Sequence, residues 1–208
     1  MISHTGSLHR FLFPSLLWKM NTRDIYLTFD DGPHPDATPS VLNILRSEKI
    51  KGTFFLTGSN VSYNRSLVKE IFAEGHSIGI HAYTHRREMA FSKEETKREI
   101  RQTESAISET GAAAYKLFRP PFGFFSWNTI SAAKDLKYKI VMWTTLTGDF
   151  RRNWPDERVT STALSKLAGG AILVLHDNEA TKSRITRILP DIIGRIRDRG
   201  FTFQSIEA

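Results

Sequence analysis

Seven side chains in this 208-residue sequence can do acid–base or metal chemistry and stand at or just after short apolar runs: Asp30, Asp31, His81, His85, Arg119, Asp149 and His176. His81 and His85 are four apart. On a helical turn that spacing puts both imidazoles on one face, within reach of a single ion. Two imidazoles plus a carboxylate, with an open position, form a common ligand set for catalytic zinc and also suit cobalt or nickel. Asp30 and Asp31 offer two carboxylates on a tight Gly32-Pro33 turn. One can hold the ion while the other faces its water, and spacing alone allows either assignment. Arg119 can grip a carboxylate bidentately, that of Asp30 or of Asp149. Asp149 within reach of His176 would raise the imidazole pKa and make it a general acid. Taken singly, each has an ordinary reading: a solvated turn, surface histidines, a salt bridge, a structural histidine, a loop cap.

What gives them weight is the set of elements that must position them. Short β-prone runs are expected at 25–29, 52–56, 77–80, 116–119, 138–144, 171–175 and 202–205. Helical patterns fall between them at 37–48, 64–73, 126–134 and 185–197, and another opens near Pro155-Asp156. Ser92 opens a long charged helix, with Glu95 placed as its capping-box partner. The run Ala171–Leu175 is apolar throughout, as a strand buried on both faces must be. Alternation of this kind implies parallel strands joined by right-handed crossovers, here as a small barrel or strongly curled sheet. Sites in such folds lie at the C-terminal ends of strands. Five segments place their ionisable residues at that end.

Bulk composition bounds the rest. Hydrophobic residues are 40% and charged residues 25%, ordinary for one globular domain. With no cysteine, any metal must be held by His, Asp or Glu. The net charge of +7 suits a solvated basic surface or an anionic envelope or membrane partner. Nucleic acid is not expected, because no Lys/Arg run carries stacking aromatics. Residues 11–18, F-L-F-P-S-L-L-W, form too short an apolar run to span a bilayer, and no small-residue cleavage site follows. Residues 1–22 are therefore expected to be an extension packed on a catalytic domain at 23–208. A membrane-interface foot is the lesser alternative. A cytoplasmic or peripherally envelope-associated location is expected, and oligomeric state is open.

Five short motifs stand in order along the chain: T-F-D-D-G-P at Thr28–Pro33, H-A-Y-T-H at His81–His85, R-P-P-F-G at Arg119–Gly123, G-D-F at Gly148–Phe150 and I-L-V-L-H-D at Ile172–Asp177. In that order they resemble the first to fifth motifs of the polysaccharide deacetylases, the NodB-homology or family-four carbohydrate esterases. The resemblance implies an α/β fold, a distorted (β/α)7 barrel of mainly parallel strands. It implies a divalent metal, zinc before cobalt or nickel, held by Asp31, His81 and His85. It makes Asp30 the general base and His176 the general acid, with Arg119 orienting Asp30 and Asp149 tuning His176. A backbone N–H near Phe122 would bind the oxyanion, and Phe122 and Val174 would hold the acetyl methyl. The implied substrate is a carbohydrate, an N-acetylated amino sugar in a chitin-like, peptidoglycan or poly-N-acetylglucosamine chain.

This sequence departs from the family pattern at Ala82, where a Ser or Thr is usual, at Leu146, where an Asp is usual, and at Phe150 and Val174. None of these removes a ligand, base or acid, so they bear on substrate range more than on chemistry. Three other readings use the same residues. They are an amide hydrolase for a small non-sugar substrate, a glycosidase indifferent to chelation, and a catalytically silent glycan-binding module.

Overall fold

A computed structural model describes residues 7–207; residues 1–6 of the expected extension lie outside it. The strands are β1 (Tyr26–Asp30), β2 (Thr53–Leu56), β3 (Ser77–Ile80), β4 (Leu117–Phe118), β5 (Lys139–Ile140), β6 (Thr145–Leu146) and β7 (Ile172–His176). They form one sheet in the order β5-β4-β3-β2-β1-β7-β6, and every pair is parallel. The helices are α1 (Ser7–Leu12), α2 (Ala37–Ser47), α3 (Gly58–Tyr63), α4 (Arg65–Ala73), α5 (Lys93–Ser108), α6 (Trp127–Asp135), α7 (Asp156–Leu164) and α8 (Lys182–Arg197). In α8 the residues Ile185, Ile188, Leu189, Ile192, Ile193 and Ile196 are buried, the spacing of a single apolar stripe laid on a core.

The sheet must curl. Seven strands laid flat would put their edges about 29 Å apart. Here the edge strands β5 and β6 are joined by residues 141–144 alone, a link that reaches no more than about 18 Å. The result is the distorted (β/α)7 barrel, with a seam between β5 and β6. Leu17 fills part of it: its N–H donates to the Ile140 carbonyl at 2.8 Å and its carbonyl accepts from Met142 N at 2.8 Å. Met20 N donates to the Gly170 carbonyl on the β7 side.

Two expected strands take a different form. Of the run expected at 138–144 only Lys139–Ile140 is strand, as β5; residues 141–144 cross the seam to β6 on the opposite edge. The segment 202–205 is reduced to one bridge, Phe203 to Ile25. Both edges of β1 are already taken by β2 and β7, so no ladder is open to it. Ser92 does cap α5, accepting from Glu95 N at 3.3 Å, but the Glu95 carboxylate pairs with Arg98 rather than closing the box. Asn64 divides the helical stretch after β2 into α3 and α4. Among the described residues no helix is long and apolar enough to cross a membrane.

Candidate active site

The C-terminal ends of β1, β3 and β7 open on a cavity of about 230 Å³, lined by Asp30, Asp31, His81, His85, His176 and Asn178. Phe122, Gly123, Trp143, Leu146 and Phe150 complete its wall. Asp30 ends β1 and is the direct register partner of His176 at the end of β7. A carboxylate and an imidazole thus stand side by side on neighbouring strands.

Asp31, one residue on, turns out of the strand with φ of 79°. Its Oδ2 accepts from Asn178 Nδ2 at 2.7 Å. Its Oδ1 is buried without a hydrogen-bond partner, 3.4 Å from His81 Nε2 and 3.0 Å from His85 Nε2. His81 Nδ1 lies 2.7 Å from the Arg119 carbonyl. A carbonyl only accepts, so Nδ1 carries a proton, which leaves Nε2 as the nitrogen able to offer a lone pair beside Asp31. Lone pairs converging on one point are uncompensated unless a cation lies between them. Ligands on a tetrahedral zinc with bonds of about 2.0–2.1 Å are about 3.3 Å apart, close to the spacings seen here. The donor set therefore fits a divalent ion.

The two histidines do not sit on a helical turn, as their spacing suggested. They flank an irregular loop in which Ala82 and His85 have φ of 63° and 55°. Asp31, Ala82, His85 and Phe122 are four of the six non-glycine residues with positive φ among the described residues, so strained backbone gathers at this pocket.

Arg119 is fully buried and lies over the Phe55 ring at 4.1 Å. Its Nη1 donates to Asp30 Oδ1 and to Thr28 Oγ1, each at 2.7 Å. Nε and Nη2 donate to the Val141 and Met142 carbonyls at 3.1 Å, where the chain crosses the seam. Of the two carboxylates open to it in the sequence, Arg119 holds Asp30. Asp149 holds His176 instead: Oδ1 accepts from the ring at 2.8 Å and Oδ2 from the backbone N–H at 2.7 Å. Burial opposes charge on His176, but Asp149, with Asp31 and Asp30 behind it, pushes its pKa up to about 10.

Phe122 lines the cavity with φ of 59°, its ring 4.6 Å from that of His85. Val174 does not line it. Val174 lies one inward step below His176 and pairs with Leu146, whose side chain lines the cavity instead. Trp143 was not expected here; a Cβ on its neighbour Gly123 would come within 2.2 Å of its ring. Asn178 and Arg184 were also missed. Arg184 ties the loop after β6 to α8 by donating to the carbonyls of Asp149, Arg151 and Trp154. The buried Asp177 accepts from Gly32 N at 3.1 Å and Thr38 Oγ1 at 2.5 Å. A Cβ on Gly32 would lie 2.2 Å from that carboxylate, so this turn requires glycine. Their signals in sequence are single polar residues beside a motif, which no spacing rule separates from ordinary loop residues.

A profile of the polysaccharide deacetylase family matches residues 19–141. The chain belongs to that family. A peptidoglycan-N-acetylglucosamine deacetylase of Bacillus cereus is 32% identical over 189 residues, 89% of this chain and 87% of that one. A solved peptidoglycan N-acetylglucosamine deacetylase with a hydroxamate-bearing ligand superposes with a TM-score of 0.86 at 27% identity, over 97% of this chain and 95% of that one. A pseudoenzyme of family-four carbohydrate esterase type from Bacillus anthracis superposes with a TM-score of 0.80 at 26% identity, over 89% of this chain and 64% of that longer one. The fold is thus shared by a named deacetylase and a named pseudoenzyme.

Proposed function

We propose that this protein is a metal-dependent deacetylase that hydrolyses the acetamido group of an N-acetylated amino sugar in an oligo- or polysaccharide, releasing acetate. The observation that carries it is the flanking of one lone-pair cluster, Asp31–His81–His85, by a carboxylate held by a buried arginine and an imidazole held by a buried aspartate. Asp31, His81 and His85 would hold the ion, zinc before cobalt or nickel. When bound it supplies Lewis acidity toward the acyl oxygen and toward water.

The chain's own groups do the rest. Asp30, fixed at Oδ1 by Arg119, takes a proton from water as the water oxygen joins the acyl carbon. Arg119 keeps that carboxylate aimed and its charge compensated. Asp149 accepts from Nδ1 of His176, so the opposite nitrogen of the ring faces the pocket with the transferable proton. His176 gives that proton to the amide nitrogen as the C–N bond breaks, and the sugar leaves as a free amine. Leu146, Trp143, Phe122 and Phe150 make an apolar wall suited to a methyl group and keep bulk water from it. The relatives' named activities on peptidoglycan N-acetylglucosamine support a glycan over a small amide.

Acetate release from chito-oligosaccharides, peptidoglycan fragments and small acetamides, with and without a chelator, tests the reading. Release from the sugars alone, abolished by chelation and restored by zinc, is expected. Cleavage of the glycosidic bond that survives chelation, with no acetate released, would point to the glycosidase chemistry instead. Glycan binding without acetate release would place the chain with its silent structural neighbour.

The His176–Asp149 pair has its own signature. The folded pKa of His176, about 10, lies above the ordinary 6.5. Its contribution to stability is therefore complete below pH of about 6.5 and lost as pH rises through about 10. In chelator-treated protein the melting temperature should fall from pH 7 to 10, and Asp149→Asn should flatten that fall. Equal slopes in the two proteins would contradict the assignment. A cation on Asp31 removes part of the pull on His176 and lowers its pKa in the loaded enzyme.

A further inference from the structure

We propose that Glu99 is a positioning residue for the metal, fixing the loop that aims His81 and His85; this rests on the metal reading above. Glu99 lies on the inward face of α5, between Thr96 and Thr103, and is 1% exposed. A buried carboxylate on a helix face that packs on a core is costly unless it is satisfied, and an aliphatic residue would pack there without that cost. Among the described residues its carboxylate is satisfied from one short stretch. Oε2 accepts from the N–H groups of Tyr83 and Thr84, both at 2.7 Å, and Oε1 accepts from Thr84 Oγ1 at 2.9 Å.

Tyr83 and Thr84 are in the middle of the loop between the two histidines. The loop's carbonyls are held from the other side: Gly58 N donates to the Ala82 carbonyl at 2.9 Å and Ser59 N to the Tyr83 carbonyl at 3.0 Å. The loop is thus clamped between the start of α3 and the middle of α5. It needs clamping, because Ala82 and His85 are both held in the left-handed region without being glycine. Ala82 carries no hydroxyl with which the loop could tie itself, so the tether comes from Glu99. Groups that orient metal ligands typically contribute 10–100-fold to metal affinity.

The test is calorimetric titration of zinc into chelator-stripped protein, with kcat read at saturating zinc and the melting temperature of the stripped protein read alongside. Glu99→Ala should weaken zinc binding roughly 10–100-fold while kcat at saturation recovers most of its value. Glu99→Gln should stay within a few-fold of wild type, because its amide oxygen can accept both N–H groups while its NH₂ donates to Thr84 Oγ1. Thr84→Val, which removes only the third contact, should fall between the two and remains informative if Glu99→Ala does not fold. Unchanged zinc affinity in Glu99→Ala would overturn the proposal. So would a Glu99→Gln loss as large as that of Glu99→Ala, or a lowered melting temperature with no change in affinity. If wild-type protein takes up no divalent metal, the reading of the metal centre fails instead.

Discussion

Asp30→Asn is expected to keep its metal and lose its turnover. The substitution changes no atom of Asp31, His81 or His85, so metal content after dialysis should match wild type. Asparagine keeps an oxygen that can accept from Arg119 but cannot take a proton from water. General-base catalysis is typically a factor of roughly 10²–10⁴, and acetate release should fall by that much. The buried guanidinium also loses its counter-charge, so stability should drop by about 1–3 kcal/mol. A near-normal rate with full metal occupancy would remove Asp30 from the mechanism. Loss of metal along with activity would mean that the two carboxylates are assigned the wrong way round.

Arg119→Met should do more damage to the fold than any other substitution at the site. It removes the partner of Asp30, leaving a carboxylate that is 4% exposed without its cation. It also strips the Val141 and Met142 carbonyls of their donors where the chain crosses the seam. Breaking a buried pair from one side costs about 3–5 kcal/mol. For a domain of this size that lowers the melting temperature by roughly 6–20 °C. Arg119→Lys should rescue little, because one ammonium cannot reach acceptors spread around a planar fork. Thermal melts of the three proteins decide this, and a Lys variant as stable as wild type would show that charge alone matters there.

Much of this was legible in the sequence because strand ends carry their own marks. The run into Asp30-Asp31-Gly32-Pro33, the Ser77–Ile80 strand before His81 and the apolar Ile172–Leu175 before His176 each pair an apolar segment with a polar stop. Topology then brings the stops together. The residues that failed to show are those whose role depends on a partner far along the chain. Val141 to Thr144 reads as more strand because hydrophobic pattern does not say which edge a backbone pairs with. Phe203 reads as strand because nothing local reports that β1 is already flanked on both sides. The His81–His85 spacing is compatible with a helical turn, and the hydrogen bonds with Glu99, Gly58 and Ser59, with the positive φ of Ala82 and His85, make it a loop. Val174 was expected at the methyl pocket on resemblance, but the cavity wall there is lined by its register partner Leu146 and not by Val174.

The order β5-β4-β3-β2-β1-β7-β6 also divides the chemistry in time. Asp30, Asp31, His81 and His85 lie on or just beyond β1 and β3, which flank β2, so the first four strands, complete by Phe118, hold the proposed metal ligands and the proposed base. His176 and Asp149 come from the other flank of β1. Their docking on β1, like the closing of Leu17 onto Val141, joins residues more than a hundred positions apart and so waits on large loop closures. A chain emerging from its N-terminus would thus assemble its metal-binding half before its proton donor. An ion captured then would stabilise that half before the barrel is shut.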